Sequence, residues 1–169
     1  MKFIKIIMEE KEMAKTPDYF FNFPFKNGEQ KPKHMRKEDL KLFIYTEEFP
    51  ESSDLNWVIA STEDVTVGEY ELAPGSTFDP VDIHAGDEVY YVERGTVTMM
   101  NPRTGQVVEV GEGESILMPK GAPHKAYNFT NSSTKILYAI APKIWDVDGP
   151  PLDYNEPFAL YKADSRGEE

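Results

Sequence analysis

Between about residues 39 and 142, short apolar runs of strand length alternate with turn residues, and this pattern most restricts the possible folds of the chain. Nine runs have the character of strands: residues 40–45, 57–61, 65–72, 88–93, 96–100, 107–110, 115–118, 125–129 and 135–141. The stretches between them lack the apolar spacing of a helix, so we expect an all-β sandwich or barrel. The sequence Asn101-Pro102-Arg103-Thr104-Gly105 predicts a hairpin turn, because proline presets φ and glycine accepts a positive φ.

The two flanking segments differ from this region in composition. We expect an N-terminal arm over residues 1–37, a β-barrel over 38–142 and an irregular C-terminal tail over 143–169. The arm contains a cluster of aromatic residues around Pro24: Tyr19, Phe20, Phe21, Phe23 and Phe25. We expect these rings to pack on the outside of the barrel or on a partner subunit; a membrane-surface anchor is the alternative, and the acidic composition counts against it. The tail is expected to fold back as far as about Tyr161 and to fray beyond it.

Charge and composition exclude several classes of function. The formal net charge of −12 would repel a polyanion, and the basic residues near the N-terminus are interleaved with acids, so nucleic acid is not an expected partner. The chain contains no cysteine, so any metal must bind through nitrogen and oxygen ligands. No stretch is long and apolar enough to span a membrane, and the N-terminus lacks the pattern of a signal peptide. We therefore expect a cytoplasmic protein without a membrane partner.

Two of the three histidines, His84 and His124, lie in spaced patterns within the β-rich region. The first pattern is Asp82-x-His84-x3-Glu88. Alternate residues of a strand share a face, so Asp82 and His84 can point together while Glu88 returns on the next segment. The second pattern places His124 at the start of a strand, after a tight turn. If the two hairpins face each other across a barrel, the four side chains meet. His34 has no pattern around it and is expected on the surface.

These two patterns resemble the two conserved motifs of the cupin superfamily. The second block matches the family at each fixed position: Gly113, Pro119, Gly121, His124 and Asn128. The first block matches at Gly75, with one extra residue in the spacer, and again at His84, Glu88 and Gly95. It departs from the family at Asp82, where cupins most often have a histidine.

The resemblance covers about residues 65–141 and implies a double-stranded β-helix, the jelly-roll barrel of cupins. It also implies that His84, Glu88 and His124 bind one divalent transition metal ion, such as Fe, Mn, Ni or Zn. Asp82 then holds the place of the fourth ligand, and three roles stay open for it: a ligand, a catalytic acid or base, or a carboxylate without a role. A metal-free pocket, with a hydrogen-bonded network of histidine and glutamate, is the alternative.

Strand parity places Tyr90 on the same face as Glu88, and Asn128 on the same face as His124. Tyr90 either lines the pocket, where its hydroxyl can orient a substrate or donate a proton as a catalytic group, or only fills core volume. Asn128 is expected to satisfy backbone groups rather than to contact a substrate.

Three functions from different classes are compatible with these features. The first is a metalloenzyme acting on a small polar organic molecule, foremost an oxygenase, with isomerase, lyase or decarboxylase chemistry also open. The second is a non-catalytic module that binds a small molecule, which the altered first ligand favours. The third is a metal-free enzyme of the sugar-epimerase type, with a histidine and a tyrosine as base and acid. The resemblance also implies a homodimer, with the aromatic arm as a clasp across the interface.

Overall fold

The computed structural model describes residues 19–26, 28–43, 54–77, 81–142 and 144. Within these ranges the chain forms a short 3-10 helix, Lys37–Asp39, and nine strands. The strands are β1 (Lys41–Phe43), β2 (Asp54–Ser61), β3 (Thr66–Leu72), β4 (Asp87–Arg94), β5 (Thr96–Asn101), β6 (Gln106–Gly111), β7 (Ser115–Met118), β8 (Lys125–Tyr127) and β9 (Thr134–Ala141). Each of the nine predicted strands overlaps one of these, and the all-β prediction is confirmed.

The strands form two antiparallel sheets around one core. The larger sheet has the order β1-β2-β3-β9-β4-β7, and the smaller has the order β6-β5-β8. Two single bridges, Thr77 with Tyr127 and Asp82 with His124, extend the β8 side of the smaller sheet. The predicted hairpin joins β5 to β6, with Gly105 at a φ of 72°. The result is the predicted jelly-roll barrel.

The core follows from alternating burial along the strands. In β3 and β9, every second side chain is buried and the others are half-buried or exposed. Leu72, Ile136 and Ile140 are at most 1% exposed. Burial of each such side chain stabilises the fold by about 1.5–3 kcal/mol. The inner faces of β3, β4 and β9 therefore pack together in the core. A polar side chain on one of these faces points into the barrel.

Asn128 serves this core, as expected, and not the cavity. Its side chain is fully buried, and its amide nitrogen donates to the carbonyl oxygens of Leu72 (3.0 Å), Ala73 (3.1 Å) and Ser132 (2.8 Å). Its oxygen accepts hydrogen bonds from the backbone N–H and the hydroxyl of Thr130, at 3.0 and 2.7 Å. Each buried carbonyl left without a donor would cost about 1–3 kcal/mol, so this amide ties β3 to the β8–β9 connection.

One ring of the N-terminal arm, that of Phe20, enters the barrel, which corrects the expectation of packing outside for this residue, whereas the other rings of the cluster are half-buried. Phe20 is 4% exposed and belongs to the core cluster. The arm is held at the end of β2, where Phe23 and Ser61 exchange backbone hydrogen bonds of 2.9 and 2.7 Å. Phe21 has a φ of 68° and donates its backbone N–H to the Ser61 hydroxyl at 3.0 Å. This left-handed residue reverses the chain, so the ring of Phe20 points inward.

The C-terminal tail is described only at Ile144, which is 6% exposed and packs in the core. Its carbonyl oxygen accepts a hydrogen bond from the Ala85 N–H at 3.0 Å. The prediction that the tail folds back as far as Tyr161 concerns residues outside the described ranges. His34 is exposed, as expected. In the part of the chain that the structure describes, no helix has the length and apolar character needed to cross a membrane.

Candidate metal centre

The four side chains predicted to meet do meet, at one end of the barrel. Asp82 and His124 lie opposite each other on neighbouring segments, which exchange backbone hydrogen bonds of 2.8 and 3.0 Å. Glu88 lies on β4, paired with Ile140 of β9 and with Met118 of β7. His84 precedes β4, and its carbonyl oxygen accepts a hydrogen bond from the backbone N–H of Gly121. The two motifs therefore face each other as expected, although His84 and Asp82 lie outside regular strands.

The ligand atoms of the four residues are close together and buried. Those of Asp82, His84 and His124 all lie within 4.8 Å of one another. Glu88 is not part of this group, but it contacts two of its members: Oε2 lies 3.1 Å from His84 Nε2 and 3.0 Å from His124 Nε2. All four residues are between 2% and 8% exposed. We call these four residues the metal centre.

The contacts of Glu88 have the lengths of hydrogen bonds without their directions. Among the described residues, the buried side-chain polar atoms that lack a hydrogen-bond partner are Glu88 Oε2 and His84 Nδ1. Two atoms bound at right angles to one ion, at about 2.1 Å each, lie about 3.0 Å apart. The separations at Glu88 match such an arrangement, so this donor set fits a divalent ion.

Comparison with known proteins identifies the fold family. The family model described as "Cupin domain" matches residues 68–140. Residues 68–140 therefore form a cupin domain. A polyketide cyclase, RemF from Streptomyces resistomycificus, has a similar structure, with 19% identity and a TM-score of 0.55 over 76% of this chain and 99% of that chain. An RmlC-like cupin from Shewanella frigidimarina has 14% identity and a TM-score of 0.54 over 67% of this chain and 93% of that chain. These similarities establish the fold and no activity.

No curated protein matches this cupin in sequence. The charge of the metal centre follows from its own residues, above all from Glu88 and His124. Burial alone would raise the pKa of the Glu88 carboxyl, but the adjacent His84 and His124 outweigh burial and lower the pKa to about 2. Burial likewise opposes the charged form of His124, yet its contact with Glu88 and the nearby Asp82 charge raise the pKa of His124. The carboxylate is thus ionised, and a cation beside it is favoured.

The orientation of the His124 ring turns Nε2, and not Nδ1, toward the other residues of the metal centre. Its Nδ1–H donates to the carbonyl oxygen of Ala122 at 2.9 Å, which fixes the tautomer and turns Nε2 toward Glu88. The hydroxyl of Tyr90 lies 3.0 Å from the same Nε2. Tyr90 is 3% exposed, and burial together with the Glu88 charge raises its pKa, so the phenol stays protonated. Tyr90 therefore lines the pocket beside the metal centre, as one of its two predicted roles required.

The metal centre opens into a cavity that is partly open to solvent. Its lining combines the centre with a wall of aromatic and aliphatic side chains: Phe20, Tyr70, Tyr90, Ala126, Tyr138, Ile140 and Ile144. Asn56 of β2 adds one further polar group. The sequence interpretation missed most of this wall. Tyr70 and Tyr138 share the inward parity of their strands and were open to prediction, whereas Phe20 and Ile144 reach the cavity from segments without strand periodicity.

Proposed function

We propose that this cupin is a metal-dependent enzyme, foremost an oxygenase, that acts on a small organic molecule held in the barrel cavity. The observation that carries the proposal is the buried donor set of the metal centre, in which Glu88 Oε2 approaches two imidazole nitrogens without hydrogen-bonding to either. A buried carboxylate is costly unless a cation satisfies it, and that cation is either a bound metal ion or a protonated His124, whose pKa Glu88 raises.

His84, Glu88 and His124 would hold one divalent ion of Fe, Mn, Ni or Zn, and Asp82 would occupy the fourth place. A bound ion of this kind polarises substrate oxygens or activates O₂. If both carboxylates bind, they cancel the charge of a divalent ion, which favours the ferric over the ferrous state relative to a centre with three histidines and one glutamate.

Tyr90 and Asp82 are the groups proposed to move protons. The Tyr90 hydroxyl lies within hydrogen-bond distance of the metal centre and stays protonated, so it can donate a proton or a hydrogen bond to substrate oxygen. Asp82 lies across from His124 and can accept a proton if it does not bind the ion. The apolar wall limits the water around these groups, which strengthens their electrostatic effect on a bound molecule.

Metal analysis and oxygen uptake test this function together. Protein purified without chelator is expected to contain about one transition metal ion per chain. After removal of metal and reloading, we expect catechol-dependent O₂ uptake with Fe(II) or Mn(II) and none with Zn(II), which lacks redox chemistry. Metal near zero in every preparation would reject the metal centre. Loaded protein without O₂ uptake, over a panel of aromatic and aliphatic diols, would reject the oxygenase.

A second function is favoured by one contact. The 3.0 Å separation between the Tyr90 hydroxyl and His124 Nε2 also suits metal-free acid–base chemistry, with the imidazole as base and the phenol as acid. Turnover of a sugar nucleotide by chelator-treated protein would support this epimerase-type function over the oxygenase. Binding of a small molecule without any turnover would instead support a non-catalytic cupin.

We also propose that the chain forms a homodimer through the outer face of the larger sheet. Val89 and Tyr91 of β4 and Leu117 of β7 are 42%, 43% and 58% exposed, and Val89 pairs directly with Leu117. Strand β7 is the last strand of this sheet among the described residues, so the apolar face reaches the edge of the sheet, where the same face of a second copy can pack against it. Light scattering should give a dimeric mass for wild type and for Val107→Glu, on the other sheet, and a monomeric mass for Leu117→Glu. A monomeric wild type rejects the dimer.

A further inference from the structure

We infer that the ligand of the cavity is a flat, aromatic or conjugated molecule, with a hydrogen-bond acceptor that Asn56 binds at the end remote from the metal centre. For the end of the ligand that meets the metal centre, this inference rests on the proposed function. The aromatic ring and the remote acceptor of the ligand depend on Asn56, Tyr70 and Tyr138. A flat ligand of this kind is a more specific class than the small polar molecule expected from the sequence.

Asn56 carries a side-chain donor without a described protein partner at the cavity. The residue is 8% exposed and lines the cavity. Its side-chain oxygen accepts a hydrogen bond of 2.9 Å from the Tyr138 hydroxyl. Its amide nitrogen has no hydrogen-bond partner among the residues that the structure describes. This N–H is not fully buried and is open to the cavity, so the acceptor of a ligand can take the place of cavity water as its partner.

The direction of the Tyr138 hydrogen bond fixes which end of the Asn56 amide is free. Burial, reinforced by the charge of Glu88, raises the pKa of Tyr138 well above its usual value, so its hydroxyl keeps its proton. A protonated hydroxyl that donates to Asn56 Oδ1 leaves the two N–H bonds of Nδ2 for another acceptor. The pair therefore presents a donor to the cavity, and the acceptor must come from the ligand.

Gly68 makes this pairing possible. It lies on β3, directly between Tyr138 of β9 and Val58 of β2. A Cβ atom at Gly68 would collide with the Tyr138 hydroxyl and would lie 2.5 Å from Tyr138 Cζ. The absence of a side chain thus lets the ring of Tyr138 lie across β3 and reach Asn56. In this position the ring forms part of the cavity wall and does not fill the cavity.

The wall between Asn56 and the metal centre is aromatic. Tyr70 packs against Tyr138 with ring centroids 6.1 Å apart, and against Tyr90 edge to face at 6.0 Å. Phe20 lines the same cavity from the arm. Rings of this kind favour a flat, polarisable ligand over an aliphatic one, through stacked and edge-to-face contacts. A sugar or a short hydroxy acid would leave most of this surface without a matching partner.

The strand order sets the approximate reach of the ligand. Asn56 on β2 is three strands from Glu88 on β4, because β3 and β9 lie between them. At a spacing of about 4.8 Å, this separation is about 14 Å along the sheet, and it is shorter between inward-pointing side chains. A ligand that contacts both Asn56 and the metal centre therefore needs polar groups at both of its ends. The structure therefore favours a ring-bearing phenol, enol or aryl ketone over a molecule with one polar end.

Three small probes test the inference on the protein as purified. 4-Hydroxyacetophenone has a ring and a carbonyl acceptor, 4-isopropylphenol has the same outline without the acceptor, and the ring-saturated analogue of the ketone has the acceptor without the aromatic ring. By calorimetry, we expect 4-hydroxyacetophenone to bind about tenfold more tightly than either of the others, the value of one added hydrogen bond or ring contact. None of the probes carries a chelating oxygen pair, so failure of the proposed metal function leaves this result unchanged.

Variants of the Asn56 pair assign the preference to the amide nitrogen. Asn56→Leu is expected to bring the ratio of the two phenol affinities to about one, and Tyr138→Phe, which removes the hydroxyl that orients the amide, should lower this ratio. Asn101→Leu, in the exposed hairpin, should match wild type. Chemical denaturation verifies that each variant is folded. Any of four results would overturn the inference. Three concern wild type: equal affinities for the two phenols, tighter binding of the saturated analogue, or no measurable binding of any probe. The fourth is an unchanged preference in Asn56→Leu.

Discussion

Replacing His124 by alanine is expected to reduce the metal content of the purified protein from about one ion per chain to near zero. His124 contributes the nitrogen that faces both Glu88 and Tyr90, and its Nδ1–H is already committed to Ala122. Loss of an outer partner of a metal ligand typically lowers affinity by about 10–100-fold, and loss of the ligand itself should exceed this range. Inductively coupled plasma mass spectrometry of matched preparations measures the change directly.

Two companion variants separate ligand loss from unfolding. His34→Ala changes an exposed histidine and should retain the metal content of wild type. His124→Gln keeps the volume of the site and a polar group, so a folded but metal-poor His124→Gln protein would show that the imidazole is required. Metal content equal to wild type in a folded His124→Ala protein contradicts the assignment of His124 as a ligand.

Replacing Gly86 by alanine is expected to destabilise the fold by about 3 kcal/mol and to weaken metal binding by about 10–100-fold. An added Cβ would collide with the carbonyl oxygen of Ala141 and lie 2.5 Å from its carbon, and backbone atoms of β9 cannot move aside cheaply. Gly86 lies between His84 and Glu88, so any displacement that relieves the collision shifts two members of the metal centre. Denaturant unfolding gives the first quantity, and metal titration with a competing chelator gives the second.

The matched control is Gly105→Ala in the β5–β6 hairpin. Gly105 has a positive φ of 72° but no atom within 4 Å of an added Cβ, so its replacement measures backbone strain without a collision. Gly105→Ala should lose about 1 kcal/mol and bind metal like wild type. If Gly86→Ala keeps the metal affinity of wild type, the close approach of β9 does not position the centre.

Much of the barrel could be predicted because each strand carries its own signal. The second half of β3, residues 69–72, alternates polar and apolar residues, β9 contains a continuous apolar run of strand length, and Gly105 marks its turn because glycine accepts a positive φ. The meeting of His84, Glu88 and His124 was predictable for a different reason. Spaced motifs resembling those of a known barrel fix which strands face each other, and strand parity then fixes the direction of the side chains.

The rest of the cavity depends on contacts that no local pattern encodes. Phe20 reaches the cavity because Ser61 holds the arm, 41 positions along the chain, through the backbone of Phe23. Asn56 becomes a candidate binding residue only through the hydroxyl of Tyr138, and that contact exists only because Gly68 lacks a side chain. The sequence also predicted a polar ligand. The titratable residues of the metal centre lie in recognisable motifs, whereas the tyrosines of the cavity wall are equally typical of core positions.

Because Phe20 of the arm reaches the cavity, the residues of the metal centre and some of the residues that contact a ligand lie in different segments of the chain. The four residues of the metal centre all lie within the family-matched stretch, 68–140, whereas Asn56 and Phe20 lie before it. Part of the proposed ligand preference thus depends on residues outside the matched stretch, whereas Tyr70, Tyr90 and Tyr138 of the wall lie within it. Exchange of the arm and β2 between related barrels should therefore transfer part of the ligand preference while leaving the metal ligands untouched, and two cupins with the same centre can diverge in what they accept.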